Sequence, residues 1–212
     1  MSGLFIVLEG PEGAGKTTQR ENIKQWFEDR GYIVHLTREP GGTPLAEEIR
    51  GLLLSPRDEK VCVTAELMLF FAARAQHVDT VIKPALERGE IVICDRFVDS
   101  TYAYQCYGRG IPYENIQVLE RYALESFTPD ITLWFDLPPE LGMERVLTRG
   151  NKKDRFEAEE IDFFHRVCAG YKARAERAPE RYLRVDATQS IDDVFEQIKP
   201  TLQALFIEHL IN

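Results

Sequence analysis

The chain has 212 residues, 44% of them hydrophobic types and 29% charged. This is the balance of an ordinary soluble protein and enough length for one well-filled α/β domain with a small mobile insert. A net charge of -9 leaves no broad basic face and argues against a nucleic-acid polymer as partner, while a local cluster of Arg and Lys is still enough for a small anion.

In chain order, the first element is a short apolar run of strand formers, Leu4–Glu9. It leads into Gly10-Pro11-Glu12-Gly13-Ala14-Gly15-Lys16-Thr17-Thr18, which contains the pattern G-x-x-x-x-G-K-[ST]. Beyond it Ile23, Trp26 and Phe27 recur at helical spacing. Strand, glycine-rich loop and helix together make the context of a phosphate-binding P-loop. Glycines let backbone N–H groups turn toward an anion, and the helix N-terminus adds the positive end of its dipole. In such a loop Lys16 reaches the outer phosphates of a nucleoside triphosphate and Thr17 holds a magnesium ion. The competing reading, a glycine turn that binds nothing, gives no reason for a buried strand to run into Gly-Lys-Thr.

Further strands are expected at Tyr32–Thr37, Ile91–Asp95, Ile131–Asp136 and Tyr182–Asp186, with helical periodicity between them. Gly31 and Gly89 fit the ends of the helices before the second and third. Strands alternating with helices predict a doubly wound, mostly parallel sheet with helices on both faces. Such sheets bind ligands beyond the carboxyl ends of their strands. Those ends carry the P-loop, Arg38-Glu39-Pro40-Gly41-Gly42-Thr43, Asp95-Arg96-Phe97 and Asp186-Ala187-Thr188-Gln189. With no internal repeat or linker, residues 1–212 read as a single domain. The polar stretch of about 148–157 reads as a mobile lid. Beyond it Ile161, Phe164, Cys168 and Tyr171 predict the core face of a helix.

Ile91-Val92-Ile93-Cys94-Asp95 is a buried-looking strand ending in a carboxylate, and Asp95 is a second candidate magnesium ligand. Arg96 follows and fits either a cation aimed at the phosphates or a surface ion pair. Asn151-Lys152-Lys153-Asp154 matches the guanine-reading pattern N-K-x-D, but a helical rather than strand-like segment precedes it, and no Asp has Gly three positions later. It reads as a coincidental match in a basic loop. Cys62, Cys94, Cys106 and Cys168 form no C-x-x-C pair, and the four histidines are scattered. They suggest reduced thiols in a cytoplasmic protein without a His or Cys metal site. The opening apolar run is too short to span a membrane.

Arg38, Arg74, Arg96, Arg149 and Arg155 all fall on the predicted ligand edge or lid. More arginines than one triphosphate needs suggest an acceptor that is itself a phosphate. Its second pKa is near about 6, so at neutral pH it is already a nucleophilic anion and no general base is nominated. Cationic screening and exclusion of water are what the protein must supply.

The landmarks Glu9–Gln19, Thr37–Thr43, Glu66–His77, Asp95-Arg96-Phe97 with Ser100–Gln105, and Asp154-Arg155-Phe156-Glu157 resemble the bacterial thymidylate kinases (dTMP kinases) over nearly the whole chain. The resemblance implies transfer of a phosphoryl group from ATP with Mg2+ to dTMP, and a homodimer. It implies that Phe70 stacks on thymine, Arg74 donates to its O4, and Thr101 and Gln105 make further base contacts. Tyr104 would crowd the sugar 2′ position, Glu12 would bind the 3′-hydroxyl, and Arg38 and Arg96 would clamp the acceptor phosphate. The residues themselves leave Phe70 open between a packing stripe with Leu67 and Phe71 and a ligand contact, and Tyr104 open as a packed aromatic. Where some members of the family carry an arginine inside the P-loop this chain has Gly13, so it resembles the type whose catalytic cation, Arg149 or Arg155, comes from the lid, alongside Lys16 and Arg96 in the catalytic set. The stretch Cys106-Tyr107-Gly108-Arg109-Gly110 departs from the family's glycine-rich pattern. The rival readings are a kinase for another nucleotide or nucleoside, and a nucleotide-binding switch.

Overall fold

A computed structural model describes residues 3–148, 155–157 and 159–211. Its centre is a five-stranded sheet in the order β2-β3-β1-β4-β5, every neighbouring pair parallel. The strands are β1 (Leu4–Glu9), β2 (Val34–Arg38), β3 (Ile91–Asp95), β4 (Ile131–Asp136) and β5 (Tyr182–Asp186). The helices are α1 (Lys16–Glu28), α2 (Pro44–Leu54), α3 (Val63–His77), α4 (Lys83–Glu87), α5 (Val98–Thr101), α6 (Tyr113–Leu124), α7 (Pro139–Thr148), α8 (Ile161–Arg177) and α9 (Ile191–Ile211). A π-helical segment, Tyr102–Gly108, continues α5.

β1 is buried along its whole length, as the middle strand of a parallel sheet must be. Its side chains alternate between two cores. Leu4, Ile6 and Leu8 pack with Ile23, Trp26 and Phe27 of α1 and Ile198 and Leu202 of α9. Phe5 and Val7 face Leu67 and Phe71 of α3 and Ile116 of α6. A third cluster joins Tyr104 to Phe163, Phe164, Val167 and Tyr171 of α8. Thr43 caps α2, its hydroxyl accepting from the Ala46 N–H at 3.0 Å, and Pro44 occupies the first turn.

The second strand starts later than expected, at Val34, and runs through Arg38. After Gly31 (φ 84°) the Tyr32 N–H donates back to the Phe27 carbonyl, and the ring packs edge-on against Phe27 and Phe206. Pairing begins only beyond it and sets Arg38 beside Asp95 in register. The buried face of α8 is also offset from the expected stripe. Phe163, Phe164, Val167, Gly170 and Tyr171 are buried, whereas Ile161 and Cys168 are half-exposed.

The fold depends on both faces of β1 being filled. Replacing Ile6, which has no exposed surface, by alanine is expected to cost about 2–5 kcal/mol, read as a lower urea midpoint with an unchanged slope.

Candidate active site

Because every strand runs the same way, all carboxyl ends lie on one edge, and the loops named from the sequence meet there. Gly10, Gly13 and Gly15 adopt positive φ. A Cβ on Gly13 would stand 2.4 Å from the Gly142 carbonyl oxygen of α7, so only glycine lets the loop lie against that helix. Lys16 is buried and its Nζ donates to the carbonyls of Gly10 (3.0 Å) and Pro11 (2.9 Å). Burial, reinforced by Arg96, lowers its pKa against the pull of Asp95, Glu12 and Glu9. Thr17 and Thr18 are exposed at the start of α1, and the Thr18 N–H donates to the Gly15 carbonyl.

Arg96 is the hub of the edge. It is a non-glycine residue at φ 69°, the kind of strained backbone that clusters at functional sites. Its Nη1 donates to the Gly10 carbonyl (2.9 Å), Tyr171 Oη (2.8 Å) and Ser100 Oγ (3.2 Å). Its Nη2 bonds to Glu12 and, at 3.3 Å, to Tyr104 Oη. Burial works against the Arg96 charge, but Glu12, with Tyr104, Tyr171 and Asp95, holds its pKa well above the ordinary arginine value. Burial likewise opposes the Glu12 charge, and Arg96 and Lys16 more than reverse this, so Glu12 titrates below the usual carboxylate range.

Behind this hub Glu9, with no exposed surface, accepts from the N–H groups of Phe97 (2.8 Å) and Ser100 (3.1 Å) and from Ser100 Oγ (2.6 Å). Burial, then the charge of Asp99, raises its carboxyl from 4.5 to about 7, against the bonds from Ser100 and Phe97 and the charge of Arg96.

Two chambers open at the edge. One, of about 660 Å³, is lined by the P-loop together with Arg38, Asp95, Arg96 and Glu157. The other, of about 540 Å³, is lined by Phe70, Arg74, Tyr104, Gln105, Phe97 and Phe156 among others. Glu12, Glu39, Arg50 and Arg96 belong to both.

In the second chamber Arg74 is 2% exposed, its Nε on Glu39 (2.6 Å), Nη1 on Thr101 Oγ1 (3.0 Å) and Nη2 on the Phe97 carbonyl (3.1 Å). Those bonds engage one hydrogen on each nitrogen and leave guanidinium hydrogens over for a ligand. Thr101 does not line the chamber but stands behind Arg74. Gln105 lines it and donates through Nε2 to Glu66 at 2.9 Å. Phe70 and Tyr104 each pack on Phe156, and each lines the chamber.

Arg38 is half exposed and bonded to both Glu47 oxygens. Arg155 lines neither chamber and has its Nε on the Leu53 carbonyl (2.9 Å) and Nη2 2.6 Å from Glu66. Arg149 and Asn151–Asp154 lie outside the described residues.

The chemistry of a divalent cation fits the P-loop chamber. Asp95 Oδ1 is buried without a hydrogen-bond partner and lines the same space as Thr17. Among the described residues no cluster of three or more His, Cys, Asp or Glu could hold a metal alone. A cation here would therefore take further ligands from phosphate oxygens, as magnesium commonly does.

Several participants escape sequence reasoning. Glu9 leaves a signal, a carboxylate ending an otherwise apolar strand just before the P-loop. Tyr171 offers only its place on a helix stripe, although a buried tyrosine hydroxyl needs a partner. Arg145, whose Nη1 donates to the carbonyls of Gly13 (3.3 Å) and Ala187 (3.1 Å), ties the last loop to the P-loop and leaves no signal at all.

A family model described as thymidylate kinase matches residues 8–198. The thymidylate kinase of Pseudomonas putida (strain GB-1) is 53% identical over 205 residues, covering 97% of both chains. That of Pseudomonas syringae pv. tomato is 54% identical over the same length and coverage. The crystal structure of thymidylate kinase from Ehrlichia chaffeensis is 34% identical and superposes with a TM-score of 0.76, covering 95% of this chain and 99% of that one. No helix among the described residues is long and apolar enough to cross a membrane.

Glu9 yields a pH test. Its folded pKa is raised, so its contribution to stability is fully present below about 4.5 and is lost as pH rises through about 7. Urea midpoints between pH 4.5 and about 8 should show the native protein losing ground to Glu9→Gln over that window. Parallel curves would mean that Glu9 does not titrate there.

Proposed function

The chain belongs to the thymidylate kinase family and is a nucleoside monophosphate kinase that phosphorylates dTMP to dTDP; we propose that ATP with Mg2+ is the donor and that the two chambers hold the two nucleotides. The observation that carries this reading is the shared wall: Glu12 and Arg96 face both chambers. A phosphate in one and a phosphate in the other would meet at the same guanidinium.

In this reading the P-loop N–H groups and Lys16 hold the donor's phosphates, and Thr17 and Asp95 hold the cation. Bound there, magnesium would supply charge neutralisation at the phosphate oxygens. Arg96 and Arg38 clamp the acceptor phosphate, an anion that attacks without a general base. Arg96 bonds to the P-loop's own Gly10 carbonyl, which pre-sets the approach of the two anions and lowers its entropic cost.

Phe70 stacks on the base, and Arg74 donates to O4, where cytosine presents an amino group. Tyr104 closes off the 2′ position, and Glu12 takes the 3′-hydroxyl. Residues 1–212 form one kinase domain with about 148–157 as its lid, from which Arg155 or Arg149 reaches the transferring group. The side chains of Val63, Met68, Val118 and Tyr122, on α3 and α6, are 41%, 57%, 54% and 89% exposed. That apolar face supports a homodimer. Free cysteines fit the cytoplasm.

ADP release measured with dTMP, dUMP, UMP, dCMP and thymidine should be strong with dTMP, weaker with dUMP and near zero with UMP. Equal use of UMP would remove the role given to Tyr104. Lys16→Ala should lower kcat by about 100-fold or more, and chelation of the divalent cation should abolish turnover. Unchanged turnover in both Arg149→Ala and Arg155→Ala would take the lid arginines out of the catalytic set.

A further inference from the structure

Glu66, in the first turn of α3, is 1% exposed, and no step described above uses it. Two hydrogen-bond donors and one ion-pair partner from outside α3 converge on its carboxylate. Gln105 Nε2 stands 2.9 Å from Oε1, Arg109 Nε 3.5 Å from Oε1, and Arg155 Nη2 2.6 Å from Oε2. A carboxylate paired with guanidinium groups offers only lone pairs. The Gln105 side chain can therefore meet it only with its NH2 end, which leaves the amide carbonyl as the acceptor for whatever occupies the chamber that Gln105 lines.

Orientation is the whole chemical content of an amide side chain. A carbonyl oxygen accepts from the N3–H of thymine or uracil but faces a lone pair on cytosine N3. An NH2 group in the same place would favour the reverse. We propose that Glu66 is a positioning residue for base recognition, holding the Gln105 amide with its oxygen toward the base. The inference rests on reading this chamber as the pyrimidine site. The same carboxylate anchors Arg155, so the wall that selects the base and the residue entering from about 148–157 share one buried attachment. Arg109 extends it to Glu159, its Nη1 bonding there at 2.6 Å.

Steady-state kinetics with dTMP and dCMP would be measured for the native enzyme, Glu66→Gln and the exchange Glu66→Gln with Gln105→Glu, each with its melting temperature. In the single variant both amides can turn. The KM for dTMP should rise about tenfold or more with a much smaller change in kcat, and the dTMP:dCMP ratio of kcat/KM should fall about tenfold. The exchange keeps an oxygen facing the base and a donor behind it, and should recover most of the ratio. An unchanged ratio in a folded Glu66→Gln enzyme would overturn the proposal. So would loss of the fold in both variants, since Glu66 would then serve the structure alone. A native enzyme that uses dCMP as well as dTMP would instead defeat the reading of this chamber as one that selects thymine over cytosine.

Discussion

A cleft meant to bring two anions together must concentrate positive charge, and concentrated positive charge repels itself. In this protein four arginines at or beside the cleft are held by carboxylates: Arg96 by Glu12, Arg74 by Glu39, Arg38 by Glu47 and Arg155 by Glu66. The pairs with low exposure are the costly ones to assemble, since taking a charge from water must be repaid by geometry and by added hydrogen bonds. Arg74 meets that condition with bonds from each nitrogen, and Glu39 with a second bond to His77. The result is that Arg74 and Arg96 are already largely desolvated and oriented. An acidic chain, -9 overall, thereby carries fixed cations in its cleft, each held by a carboxylate.

The sheet makes this pairing possible. Parallel strands deliver every loop to one edge, and the register places Asp95 beside both Leu8 and Arg38. The P-loop, the Asp95–Arg96 turn and the Arg38 loop are therefore within side-chain reach by construction. Arg96 occupies its left-handed conformation because the chain must turn sharply at the end of β3. Its own N–H bonds to Leu8, and the next N–H bonds to Glu9. Strain at one residue is thus held by two main-chain N–H groups bonded to the strand that carries the P-loop, one to the Leu8 carbonyl and one to the Glu9 carboxylate, and an uncoupled movement of Arg96 would break both.

Much of this was legible in the residues. The strand–loop–helix around Lys16, the alternation of strands and helices and the linear order of motifs identified the fold class and the family. Glu12, Arg74, Arg96 and Gln105 were singled out and do meet at adjoining chambers. The start of β2 was misplaced because Tyr32 looks like a strand residue, yet its ring is claimed by Phe27 and Phe206, a contact between elements far apart in sequence. The α8 stripe was offset because helical periodicity names a face without saying which neighbours cover it. Tyr171 reads as core from periodicity for the same reason: its ring is core, while its hydroxyl reaches Arg96 and Ser100.

The sequence by itself determined the local chemistry. A glycine-rich loop between a buried strand and a helix presents N–H groups to an anion, because backbone sterics and the helix terminus are short-range properties. It also determined the fold class, because hydrophobic periodicity is written residue by residue. Only the tertiary structure decided which partner each charge has. Pairs such as Glu66 with Gln105, Glu39 with Arg74 and Glu9 with Ser100 join residues 39, 35 and 91 positions apart in sequence. Nothing in linear spacing encodes them, because they exist only once packing has brought those elements into contact and excluded the water that would otherwise satisfy each group alone.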